Sequence, residues 1–132
     1  MPSDFTTCAP ELEAFLQENL PETWKVTDAA KAPAKATGVV LTYELTGFST
    51  RAGNTPLPPS VLGADFSLTL SSPEVDVTKA LARVMGALPK LIRVLDTSPD
   101  ISWDTADRLM TAAGETYFRI PITLLTLTPE EE

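Results

Sequence analysis

The sequence predicts an α+β fold. It reads as one mainly antiparallel β-sheet of four to five strands, covered by a short N-terminal helix and a longer Pro-interrupted helix, in the order α-β-β-β-α-β-β. Three observations carry this. Val39 to Thr46 and Ala64 to Ser71 both alternate apolar and polar residues, the period of a half-buried strand. Between residues 72 and 98 apolar residues advance in steps of three and four, the stripe of a helix lying on a sheet. Tyr117 to Thr128 is the most β-prone run in the chain.

Taken in order, CAPELEAFLQENLPE places Leu12, Phe15, Leu16 and Leu20 on one helical face. Pro10 suits the first turn, and Pro21 disfavours helical geometry at Leu20 and stops the helix. TWKVT, Thr23 to Thr27, reads as a short strand, and Asp28 to Gly38 as a surface connection. In the next strand Val39, Leu41, Tyr43 and Leu45 are expected to point inward, with Val40 breaking the alternation; Phe66, Leu68 and Leu70 do the same in its antiparallel partner. STRAGNTPLPPS, Ser49 to Ser60, joins the two and is far longer than a hairpin needs, so residues 49–60 are expected to project. Ser72 is the expected cap of the principal helix, with Pro73 at its first position and Glu74 and Asp76 at its positive end. Val77, Leu81, Val84, Leu88, Leu91 or Ile92, and Leu95 form its stripe. Pro89 predicts a kink or two helices meeting near Leu88. A final hairpin turns at Ala112 to Glu115. Pro121 inside its second strand predicts a bulge or a free side toward an edge. Residues 129–132 read as a frayed acidic tail, and residues 1–132 as a single domain.

With 132 residues, 43% hydrophobic, and a mean hydropathy of +0.04, the composition is that of an ordinary globular chain able to build one core. The single cysteine, Cys8, rules out an intrachain disulfide framework and favours an intracellular origin over secretion. No signal-like or bilayer-length apolar run is present, so a soluble protein without membrane contact is expected. The net charge of -8 repels phosphate backbones, which argues against sequence-specific DNA binding.

Chemistry-bearing patterns are few. Histidine is absent, which removes Ser-His-Asp and Cys-His catalysis and every histidine-bearing metal site. Cys8 alone makes no thiolate zinc site, and no glycine pattern cradles a nucleotide. Asp96, Asp100, Asp104 and Asp107 lie close in sequence; a solvated acidic turn is favoured over a cation site, because Ser98, Pro99 and Trp103 argue for a loop entering a strand. Glu44 and Asp65, on adjacent strands, would suit paired-acid hydrolysis but read more simply as outward polar residues. Trp24 and Trp103 read as core or sheet-covering residues. No catalytic residue, cofactor or metal site emerges, and no enzyme is expected.

The element order, the size, the long loop between the second and third strands, the Pro-interrupted helix and the C-terminal hairpin resemble phage tail terminator proteins of the lambda type. Within the hairpin, Trp103, Ala106 and Arg108 in WDTADR, and Tyr117 to Thr123 in YFRIPIT, look like versions carried by siphophages of actinobacteria. The resemblance covers nearly the whole chain. It implies a virion structural protein, made in the host bacterial cytoplasm, that forms a hexameric ring. That ring would cap the head-proximal end of the tail tube, end its polymerisation and join the tail to the neck, with genome DNA passing through its lumen. Its partners would be copies of itself, the major tail tube protein on one face and a neck or head-completion protein on the other. A head-completion adaptor of the connector is the nearest alternative function, and a small hydrolase or ligand-binding protein a distant one. Under this reading Arg51 and Asn54 would be polar partner contacts and Leu57 an apolar anchor on the projecting loop, where a plain surface loop is the alternative. Lys79, Arg83 and Arg93 would meet acidic positions of a neighbour from the exposed side of the long helix.

Overall fold

Alternation and helical spacing resolve, in the computed structural model, into strands and helices over the described residues, 3–4, 6–29, 38–52, 55–72, 76–110 and 116–127. In chain order these are β1 (Ser3–Asp4), α1 (Cys8–Asn19), β2 (Lys25–Asp28), β3 (Val40–Ser49), β4 (Arg51–Ala52), β5 (Thr55–Pro56) and β6 (Val61–Ser71). Then come α2 (Val77–Thr97), β7 (Ile101–Trp103), β8 (Asp107–Met110) and β9 (Thr116–Leu127). Class and order are those the sequence predicts. The two-residue strands β1, β4 and β5, too short to show a period, are additions, as is the division of the penultimate strand into β7 and β8.

β9 is the interior strand on which the sheet is built, in the order β1-β9-β6-β3-β2 with β7 and β8 also on β9. One side of β9 pairs with β6 in unbroken antiparallel register, from Tyr117↔Ser71 to Leu127↔Val61. Its other side meets β8, β7 and then β1 in tandem, the last of them parallel. β3 pairs antiparallel with β6, as expected, and β2 runs parallel to β3.

Pro121 therefore sits in an interior strand. Its donor-less nitrogen is nevertheless accommodated. The Leu125 amide donates to the Asp100 carbonyl at 2.8 Å, so the two-residue alternation of a strand turns residues 123 and 121 toward the same flank. There the register runs from Trp103↔Ile122 to Asp107↔Arg119, four steps on one strand against three on β9. Pro121 faces that bulge, where a ladder bond is not needed.

Helix α1 carries the chain from one margin of the sheet to the other. β1 lies beyond β9 and β2 beyond β3. Twelve residues of helix span about 18 Å, close to the roughly 19 Å of four interstrand spacings. A helix this short is marginal in water. Burial of Cys8, Leu12 and Leu16, with Leu20 just beyond, holds it on the sheet, while Phe15 is half-buried.

The core lies between this helical layer and one face of the sheet. Val84, Ala87, Leu91 and Leu95 of α2 meet Phe66, Leu68 and Leu70 of β6 and Phe118, Ile120, Ile122 and Leu124 of β9. Each large side chain buried there contributes about 1.5–3 kcal/mol. Leu41 and Tyr43 of β3 join them, as predicted. Leu45 does not. It shares the inner face, opposite buried Phe66, but is 42% exposed: it lies at the sheet margin, beyond Tyr43, the last β3 residue that β2 pairs.

Two expectations for α2 are corrected. Asp76, not Ser72, is the cap: its carboxylate accepts the Thr78 and Lys79 amides at 2.9 and 3.2 Å, two of the four otherwise unpaired donors at a helix start. Pro89 divides nothing, since α2 is one helix of 21 residues. Pro89 and Met85 are both exposed, so the Met85 carbonyl that a residue-89 amide would have bonded faces water. Pro73, Glu74, most of the Asp28 to Gly38 connection, the Ala112 to Glu115 turn and the 129–132 tail lie outside the described residues.

Candidate assembly surfaces

Alternation sends the other half of each strand to a sheet face that no described helix covers. β3 contributes Glu44 there, β6 contributes Asp65, Ser67 and Thr69, and β9 contributes Arg119, Pro121 and Thr123. These residues line a groove of about 650 Å³, closed on one side by Ser102, Trp103 and Asp104. Three carboxylates around one guanidinium leave the groove acidic. Glu44 and Asp65 are both outward and polar, as the sequence indicates, though not directly paired: Glu44 stands opposite Ser67, and Asp65 opposite Gly47. The Asp65 carboxylate accepts the Thr123 hydroxyl at 2.8 Å and lies 3.4 Å from that of Ser49.

The loop at 49–60 forms a small hairpin in which Arg51 pairs with Pro56 and Ala52 with Thr55. It is tied by the Leu57 amide to the Thr50 carbonyl at 2.9 Å, and the chain turns into β6 with the Val61 amide on the Pro58 carbonyl. Ser60 in that turn has φ 72°, the left-handed value that position i+2 of a type II turn requires. β4 lies against β6 and β9. Gly63 makes this approach possible, since a Cβ there would lie 2.5 Å from the Thr123 methyl, 3.1 Å from the Ser49 hydroxyl and 3.2 Å from the Arg51 carbonyl. Arg51 is exposed and Leu57 half-buried; Asn54 lies outside the described residues.

Lys79, Arg83 and Arg93 are exposed on α2, in the layer on the opposite side of the sheet from the groove, so the candidate contact residues do not form one site. At 100° per residue, Lys79, Arg83 and Lys90 share one side of α2. Arg83 and Lys90 border a depression with Trp24 and Val39, which turns that side toward the segment linking α1 to β2. The other side carries half-buried Leu81, Leu88 and Ile92 and exposed Met85, toward the β7–β8 margin. Asp96, on that side, accepts the Trp103 indole N–H at 2.8 Å.

The acidic quartet is spread over the end of α2, a turn, the bulge and β8. Among the described residues no three His, Cys, Asp or Glu side chains are grouped to hold a metal. Cys8 is buried at the start of α1. No described helix is long and apolar enough to cross a membrane.

Sequence reading missed Arg119 and the exposed apolar residues Leu45, Phe48, Met85 and Met110. Arg119 had a signal, its outward parity in β9. The others are exposed because of where neighbouring elements stop, which no local pattern encodes.

No family model and no curated protein matches the sequence. Among solved structures, the fold aligns with the sheath/tube terminator of an extracellular contractile injection system, PVC, in the extended state, at a TM-score of 0.45 and 7% identity. The alignment covers all of this chain, which spans 62% of that one.

Proposed function

We propose that this chain is a tail terminator: a virion structural protein whose copies form a ring, probed below as a hexamer, at the head-proximal end of a phage tail tube. There it ends tube growth and joins the tail to the neck. The reading rests on the resemblance in element order, size, the long loop at 49–60, the proline-bearing helix and the C-terminal hairpin, within which WDTADR and YFRIPIT look like versions carried by such phages. One structural observation supports it most directly: the broad sheet face that no described helix covers, lined with hydroxyls and with Glu44, Asp65 and Asp104. Turned toward a lumen, such a face, with three carboxylates to the single guanidinium of Arg119, repels nucleic-acid phosphates, so DNA would slide rather than stick.

The hairpin at 49–60, with Arg51 and Leu57, is the proposed contact to the tube layer, and Lys79, Arg83 and Arg93 the proposed basic contacts within the assembly. Purified tube protein polymerised with and without this chain tests the reading by electron microscopy. Capped tubes of restricted length with a six-fold end ring are expected, and a variant lacking Arg51 to Pro58 should lose the effect. Unrestricted growth in the presence of the intact chain overturns the terminator reading. Binding to neck protein alone would instead assign the chain to the head-completion class.

A further inference from the structure

The charge of α2 runs against that of the chain. The sequence holds 18 acidic and 10 basic residues, yet between Val77 and Leu95 this helix carries Lys79, Arg83, Lys90 and Arg93 and no acid. Lys79 and Arg83, one turn apart on one side, repel each other, so that side is better satisfied by anions from elsewhere. Lys79 and Lys90 are exposed, and neither meets a carboxylate among the described residues. Arg83 and Lys90 rim the depression, of about 370 Å³, whose walls include Val39 and half-buried Trp24. The complementary charge is in the sequence. Glu130, Glu131 and Glu132 are its only three consecutive acids; they follow Pro129 and lie outside the described residues. The depression of their own copy is out of their reach. Val39 precedes Val40, which aligns through Ser71 with Tyr117, and the ten steps from Tyr117 to Leu127 span about 33 Å. The five residues after Leu127, fully extended, span at most about 18 Å.

We infer that Glu130 to Glu132 of one copy dock on the basic side of α2 of a second copy, with Pro129 packed against Trp24. Three carboxylates then meet the cations of Lys79, Arg83 and Lys90. Because the two surfaces are different patches of the molecule, the contact is heterologous, and repetition gives a ring where the rotation closes. The inference rests on the ring proposed above and names the acidic positions that the basic residues of α2 meet in it. The pairing is local; at longer range two copies of net charge -8 still repel.

Carbodiimide cross-linking of mixed isotope-labelled and unlabelled protein, read by mass spectrometry, tests the contact directly. Lys79 or Lys90 should be found linked to Glu130, Glu131 or Glu132 in peptides of mixed label. Links within one label only, or none where copies associate, overturn the inference. Charge reversal supplies the second arm. Replacing all three residues, Glu130→Lys, Glu131→Lys and Glu132→Lys, raises the net charge of -8 by six, to -2. Net repulsion alone would then make this variant associate more tightly than the wild type. Docking predicts the reverse in sedimentation velocity, a weakening of at least about tenfold from the loss of three exposed pairs. Lys79→Glu with Lys90→Glu should weaken association too, and both sets combined in one chain should recover it. Thermal melts of all these variants should match the wild type, since Lys79 and Lys90 are exposed. Tighter association of the Glu→Lys variant, or rings that it forms as readily as the wild type, overturn the docking and leave the ring reading standing. A wild type that neither self-associates nor caps tubes removes the contact and the terminator reading together.

Discussion

Tyr43 is buried in the core, its ring edge-on to Phe66 with centroids 6.3 Å apart, and its phenol donates to the Glu13 carboxylate from α1. Burial, then the Glu13 charge and hydrogen bond and the Asp28 charge, push its pKa from 10.0 up to about 12. The contribution to stability is complete below pH 10, where both folded and unfolded chains keep the proton. It falls as pH rises toward 12, because the unfolded chain ionises first. Tyr43→Phe should accordingly show a flatter loss of stability between pH 10 and 12 in urea titrations. An unchanged slope would mean another group governs alkaline unfolding. Gly63 makes a second test. Gly63→Ala must displace the Thr123 methyl, which the bond to Asp65 holds in place, and press on the Arg51 backbone. A loss of about 1–3 kcal/mol is expected, read as a lower urea midpoint. Neither residue's role was visible in sequence: the alternation places Tyr43 inward but says nothing of Glu13, and Gly63 matters because of a hairpin whose folding back is a tertiary event.

Among the elements, α2 shows how much a local pattern determines. Its stripe from Val84 to Leu95 lies on the sheet as spaced, yet its start is displaced. Ser72-Pro73-Glu74 and Asp76 are both acceptable N-terminal signals, and the helix takes the one whose carboxylate satisfies two amides. Asp76→Ala should cost about 1 kcal/mol, measured by chemical denaturation, and Ser72→Ala markedly less. Of the two effects expected of Pro89, a kink or two separate helices, the second does not occur: α2 runs through it as one helix. Because it faces solvent, Pro89→Ala should raise the melting temperature, with a gain of up to about 3 kcal/mol as the ceiling set by helix propensity. The sheet teaches the same lesson. Alternation assigns the faces of β3, β6 and β9, including the outward parity of Glu44, Asp65 and Arg119. That the three meet in one groove depends on register between distant strands, 58 residues apart at the Thr123–Asp65 bond, and register is not legible from single segments. Leu45 likewise has the right face and the wrong burial, since what leaves it on a margin is the end of β2 at Asp28, which β3 does not encode.

Across the whole molecule, an acidic chain that assembles with itself must overcome its own repulsion. The screening length shrinks from about 10 Å at 0.1 M salt to about 3 Å at 1 M, so self-association of a chain with a net charge of -8 should strengthen with salt. Sedimentation equilibrium across that range checks this, and weakening with salt would point to ion pairing as the dominant force. The placement of β1 has a different implication. Ser3 and Asp4 align beside Thr126 and Leu127, so the first strand of the sheet finds its ladder only in the last one. A ribosome emitting this chain delivers α1 and β2 long before β9 exists, and β9 is the strand to which β7, β8 and β1 owe their ladders. Nascent chains must thus wait, with apolar helix faces uncovered, until β9 has been made. Maturation is then a single late event, and prematurely terminated fragments should be insoluble rather than partly folded.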